Sequence, residues 1–132
     1  MGYQDIEESR LYQRTEGLVD KIWDIVAEWE WFAKDTLGKQ LTRAADSIGA
    51  NLAESSGRYH PNDVIRFLYY ARGSIKETRY WLRRTMARNL ISKTNFDVFF
   101  DELDQLGREL NAYINYQRQR MIKEETTEYH IE

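Results

Sequence analysis

A chain of 132 residues fits one domain with one core of ordinary size. It has no cysteine, which excludes disulfides and thiolate metal sites, and no apolar run near the roughly 20 residues that span a bilayer. The net charge is −3 but unevenly placed: residues 1–35 come to −5, residues 36–93 to +7, residues 94–123 to −1 and residues 124–132 to −4. One proline and seven glycines suit few, long elements, so an all-α domain is expected. Four Trp and nine Tyr point to a wide core or to interfaces. The start, MGYQDIEES, is acidic and lacks an apolar signal core, so a cytoplasmic location is expected.

The first helix is expected over about residues 8–32. Leu11, Leu18, Ile22, Ile25, Trp29 and Phe32 form a heptad-like seam. Val19, Trp23 and Val26 add a second apolar face, and Trp31 another large ring. Such a helix is either deeply buried or meets another subunit. The second helix is expected over 36–57, with Gly57 as its stop and Pro61 soon after.

The third helix is expected over about 62–90, with Pro61 suited to the first helical turn and Asn62 or Asp63 as cap or first-turn acid. Its core stripe is Val64, Leu68, Ala71, Ile75, Thr78 and Leu82. Gly73 sits mid-helix, where the close approach of another helix is the expected compensation. The fourth helix starts near Ser92 or Thr94, with Phe96, Phe99, Leu103, Leu106, Leu110 and Tyr113 along its seam and Phe100 and Ile114 beside it. After Ile122 the acidic KEETTEYHIE has no periodicity and reads as a disordered tail. Residues 1–122 are therefore expected to form an up-down-up-down antiparallel four-helix bundle, followed by a tail over 123–132.

Two constellations carry the functional reading. On the second helix Arg43, Ser47, Asn51, Glu54 and Arg58 step by four, four, three and four, one polar row beside the apolar row Leu41, Ala44, Ile48 and Leu52. Ser74 and Glu77 share a face of the third helix and could meet that row, with Arg43 or Arg58 neutralising Glu54 or Glu77. A register-fixing network, inside the bundle or between subunits, is the main reading. A ligand or catalytic site is the other.

The second constellation is the basic face of the third helix. Arg72, Lys76, Arg79 and Arg83 step by four, three and four, with Arg66, Arg84 and Arg88 nearby. They could line a phosphate backbone while Tyr69, Tyr80 or Trp81 stacks on bases. The competing reading is a solvated face paired with the acidic first or fourth helix, with Asp20, Asp24, Glu28 and Asp35 as possible partners.

Chemistry beyond binding finds no support in the motifs. Neither His60 nor His130 lies in a Glu-x-x-His pair, so no metal is expected. No histidine is placed to activate a serine, neither has an arginine four to seven positions before it, and no glycine-rich phosphate loop occurs. No cofactor and no enzymatic activity are expected.

The segments LGKQLTRAADSIGANLAESSGR at 37–58 and IRFLYYARGSIKETRYWL at 65–82 resemble the four-helix-bundle proteins encoded within intervening sequences of bacterial 23S ribosomal RNA genes. Gln40, Arg43, Ser47, Asn51, Glu54, Gly57 and Arg58 match that pattern, as do Phe67, Leu68, Ala71, Gly73, Ser74 and Glu77. Ser55 stands where the family favours glycine, and WEWFAKDTLG lacks the usual Phe-Pro turn. The resemblance implies a ring-shaped homopentamer without enzymatic activity. The chain also looks related to the accessory proteins of diversity-generating retroelements, which implies RNA or DNA and a reverse transcriptase as partners. The leading expectation is a non-enzymatic homo-oligomer that binds nucleic acid through the third helix. The alternative is a protein-interaction scaffold that docks partners on the Trp-rich first helix.

Overall fold

The computed structural model describes the backbone of residues 6–131 and side chains through residue 125. Among these residues there are four long helices and no strand. Ile6–Glu8 form a 3-10 turn that buries Ile6. Ser9 then caps α1 (Arg10–Ala27), its hydroxyl accepting from the Tyr12 N–H at 3.2 Å. Leu18, Val19, Ile22 and Val26 are buried, so much of the second apolar face turns inward.

Helix α1 ends at Ala27 instead of running to residue 32. No glycine or proline marks this stop. Trp29 turns back to the bundle, and its indole N–H donates to the Leu90 carbonyl at 3.0 Å. Glu30 is extended, and Trp31–Ala33 open the next helical stretch. A π-helical turn, Lys34–Gly38, leads into α2 (Lys39–Ser56). Leu37 and Gly38 are buried in that turn. A Cβ on Gly38 would lie 2.8 Å from Val26 Cγ1, so only glycine lets the turn pack this close to α1. Trp31 and Phe32, placed beyond the break, are left 74% and 73% exposed.

Helix α3 (Pro61–Ala87) starts with proline in its first turn, where the missing N–H costs nothing. Leu68, Ala71, Ile75, Thr78 and Leu82 are buried as the spacing predicts, Val64 is only half-buried, and Ile65 and Thr85 join the buried side. The helix ends in a Schellman-type cap. Asn89 takes a left-handed φ of 59°, and the Leu90 N–H returns to the Thr85 carbonyl at 3.0 Å. Ser92 caps α4 (Lys93–Ile131) through the Asn95 N–H at 3.1 Å. Phe99, Leu103, Leu106, Leu110 and Ile114 complete one core with α1, α2 and α3.

The helices pack in the cyclic order α1, α2, α3, α4, with α2 against α3 the most extensive contact. The edges α1–α2 and α2–α3 are therefore neighbours. Past Ile114 no α4 side chain among the described residues belongs to the core. Of the disordered tail expected over 123–132, residues 123–131 continue α4 as helix, and residue 132 lies outside the described residues. Met121, Ile122, Lys123, Glu124 and Glu125 suit a helix well enough that the absence of an apolar stripe does not end it.

Candidate nucleic-acid interface

The polar row divides in two. Ser47, Asn51 and Ser74 meet where α2 packs on α3. Ser47 Oγ lies 2.9 Å from Ser74 Oγ, and the Asn51 amide donates to Ser74 Oγ at 3.4 Å and to the Ser47 carbonyl at 2.9 Å. Each hydroxyl also reaches a carbonyl on its own helix, Ala44 at 2.8 Å and Tyr70 at 3.0 Å. Two hydroxyl protons thus serve three contacts, and the pair fixes the register of α2 on α3.

These groups are half-exposed, on the floor of an open groove of about 590 Å³ that Arg43, Tyr69, Tyr70, Gly73 and Glu77 also line. Glu77 accepts from the Trp81 indole at 3.3 Å. Arg43 has no ion-pair partner among the described residues. Glu54 and Arg58 pair with each other one turn away, and Arg58 sits 4.5 Å over the Phe67 ring. Neither Arg43 nor Arg58 reaches Glu77. Gly73 is exposed and a Cβ there would meet nothing within 4 Å, so no helix of this chain makes the close approach expected at it. Its cost, about 1 kcal/mol against alanine, is not recovered within one copy.

The basic face of α3 also divides. Arg79 is ion-paired with Asp104 of α4, its guanidinium 4.6 Å over the Phe100 ring, and Arg83 lies 5.2 Å over the same ring. The acid that answers this face is therefore Asp104, and not Asp20, Asp24, Glu28 or Asp35. Asp35 instead pairs with Lys39 at 2.8 Å. Arg66 pairs with Asp63 at 3.0 Å. Lys76, Arg84 and Arg88 have no ion-pair partner among the described residues, and Lys76 and Arg88 are exposed.

Arg72 takes a different role. It stacks 4.6 Å from the Tyr69 ring centre and donates to the Asn111 side-chain oxygen at 3.2 Å. Arg118 of α4 comes to the same ring at 5.0 Å. Neither guanidinium has a carboxylate partner among the described residues. Arg118 has no counterpart in the sequence reading, because a contact with Tyr69 made from α4 leaves no spacing signal. Tyr80 is half-exposed and packs edge-on against Trp81 at 4.8 Å, clear of this cluster.

Another cluster missed in the sequence is structural. Arg14 of α1 donates to Glu102 at 2.8 and 3.0 Å, to Gln105 at 2.9 Å, and to Glu109. The three acceptors step by three and four along α4, a one-face spacing that was legible. The Glu102 hydrogen bond holds the Arg14 guanidinium protonated above its usual range, against the opposing effect of burial. Asp46 is shifted the other way for a charged group. Partial burial pushes its carboxyl up, and the Asp20 carboxylate adds to that. Among the described residues no three His, Cys, Asp or Glu side chains gather as a metal site would require. No described helix is long and apolar enough to cross a membrane.

The family model described as 23S rRNA-intervening sequence protein matches residues 7–112. Among solved structures, a protein of unknown function from the S23 ribosomal protein family of Bacteroides thetaiotaomicron VPI-5482 aligns with a TM-score of 0.71. The two are 21% identical over 79% of this chain and 97% of that one, a likeness of fold. No curated protein matches the sequence.

Proposed function

Because the chain belongs to the 23S rRNA-intervening sequence protein family, we propose that it is a non-enzymatic, self-assembling bundle that binds RNA or DNA on the α3–α4 face. A ring-shaped homopentamer is the assembly we propose. The observation that carries the binding reading is the pair Arg72 and Arg118, both stacked on Tyr69 and neither answered by a carboxylate among the described residues. The shared ring orients two planar forks, and such forks engage phosphate oxygens bidentately. Lys76, exposed one helical turn from Arg72, adds a point charge. Arg79, already neutralised by Asp104, is left out of this surface.

Overall charge opposes binding, since each copy carries −3. A local cationic patch repeated around a ring overcomes that through avidity at short range. The reading therefore requires marked salt sensitivity. A reverse transcriptase is proposed as a partner on the resemblance alone, and through shared nucleic acid.

Fluorescence anisotropy with a labelled RNA hairpin and a labelled DNA duplex tests the reading. Log affinity should fall linearly with log salt, with a slope of about −2 to −3 for each subunit engaged on duplex DNA. Absence of binding to both probes at low salt, or binding indifferent to salt, overturns it.

The exposed aromatic corner at Trp23, Trp31 and Phe32 supports the self-assembly part, and also keeps a protein-docking scaffold as the second reading. Single apolar residues at a surface are ordinary, but three large aromatic rings within ten residues are a contact surface in need of a partner.

A further inference from the structure

We propose that Trp31 and Phe32 of one copy seat in the α2–α3 groove over Gly73 of the next, a head-to-tail contact. The inference rests on the self-assembly reading above and names its two faces. One face projects. The break after α1 and the π-helical turn place Trp31 and Phe32 outside the core, and Trp23 is 58% exposed beside them. The other face is hollow. Ser47 and Ser74 are small, Gly73 has no side chain, and the space above it is empty in one copy.

Charge favours the match. Glu28 and Glu30, exposed at the projecting corner, have no ion-pair partner among the described residues. Arg43, at the groove, has none either. Bringing the faces together gives Arg43 an acidic neighbour and a ring on which to stack. The same contact accounts for two features that one copy leaves unexplained, the bare glycine in the middle of α3 and the exposed tryptophans.

Geometry favours closure. The projecting corner lies on the α1–α2 edge, where Trp23, Val26, Gly38 and Thr42 flank Trp31. The groove lies on the neighbouring α2–α3 edge. A contact between different patches is heterologous, and patches on adjacent edges turn each copy through a large angle from the last. Such a series closes into a ring sooner than it extends as a straight fibre.

Sedimentation velocity of three proteins decides the matter: the unaltered chain, Gly73→Gln and Trp31→Ala/Phe32→Ala. Gly73→Gln fills the groove and keeps the corner. The double variant removes the corner and keeps the groove. Neither change disturbs a buried contact within one copy, so both should keep their helical circular dichroism. The unaltered chain should assemble, and each variant alone should be monomeric. Mixed in equal amounts, the two variants should form a dimer and nothing larger, because one intact corner meets one intact groove. An unfolded variant could not complement in this way.

If the unaltered chain assembles and Gly73→Gln assembles equally well, the interface is elsewhere and this inference alone fails. The same holds if both variants are monomeric and their mixture stays so. A monomeric unaltered chain overturns this inference and the self-assembly reading together.

Discussion

Arg79 and Asp104 are ion-paired across the α3–α4 contact, with the Arg79 guanidinium stacked 4.6 Å over Phe100. Both side chains are about one-third exposed, at 32% and 34%, so the pair is better shielded than a surface ion pair. Arg79→Gln should lower stability by about 1 kcal/mol, from the lost pair and the lost stacking. Urea unfolding monitored by circular dichroism checks this. A change in nucleic-acid affinity without a change in stability would place Arg79 on the binding surface instead.

Arg14 is the larger structural determinant. Its guanidinium is 18% exposed and holds Glu102, Gln105 and Glu109 together. Arg14→Met keeps the side chain's bulk and leaves two carboxylates facing each other, at an expected cost of about 2–3 kcal/mol. Replacing Glu102 and Glu109 by Gln in the same protein should recover part of that loss. Additive costs from all three changes would contradict a shared cluster.

The two glycines should respond in opposite directions. Gly38→Ala forces a Cβ to 2.8 Å from Val26 Cγ1 and 3.3 Å from the Ala33 carbonyl, and should destabilise by about 1–3 kcal/mol. Gly73→Ala has open space and should stabilise α3 by about 0.5–1 kcal/mol. Both are best measured in the Trp31→Ala/Phe32→Ala background, where assembly does not contribute to the thermal midpoint.

Asp46 supplies a pH signature. Its carboxyl is raised in the folded state by partial burial and by Asp20. The folded state therefore favours its protonated form. That contribution is complete below the unfolded carboxyl's value of about 3.9 and is lost as pH rises through the folded value. At neutral pH the ionised group is a small liability. Asp46→Asn should raise Tm slightly at pH 7, with the gain shrinking as pH falls through the carboxylate range. A gain that is constant from pH 3 to pH 7 would rule out the electrostatic cause.

Periodicity made the helices and their core stripes legible, because buried positions on α3 and α4 recur at helical steps. The Ser47–Asn51–Ser74 contact was legible for the same reason, as a one-face spacing on each of two adjacent helices. The end of α1 was not. Trp29 bonds a carbonyl at Leu90, 61 positions away, and nothing local marks the break. The division of the basic face was hidden too. Arg79 and Arg72 look alike along α3, and only α4 separates them, by offering Asp104 to one and Asn111 to the other.

The most direct test of nucleic-acid binding compares two losses of arginine charge on the same RNA hairpin. Arg72→Gln/Arg118→Gln should weaken binding about tenfold or more and make the salt dependence shallower by about one unit for each arginine. Arg79→Gln should leave affinity and salt dependence unchanged. Equal loss in both proteins, or no loss when Arg72 and Arg118 are replaced, would contradict the assignment of the Tyr69 cluster as the phosphate-binding surface.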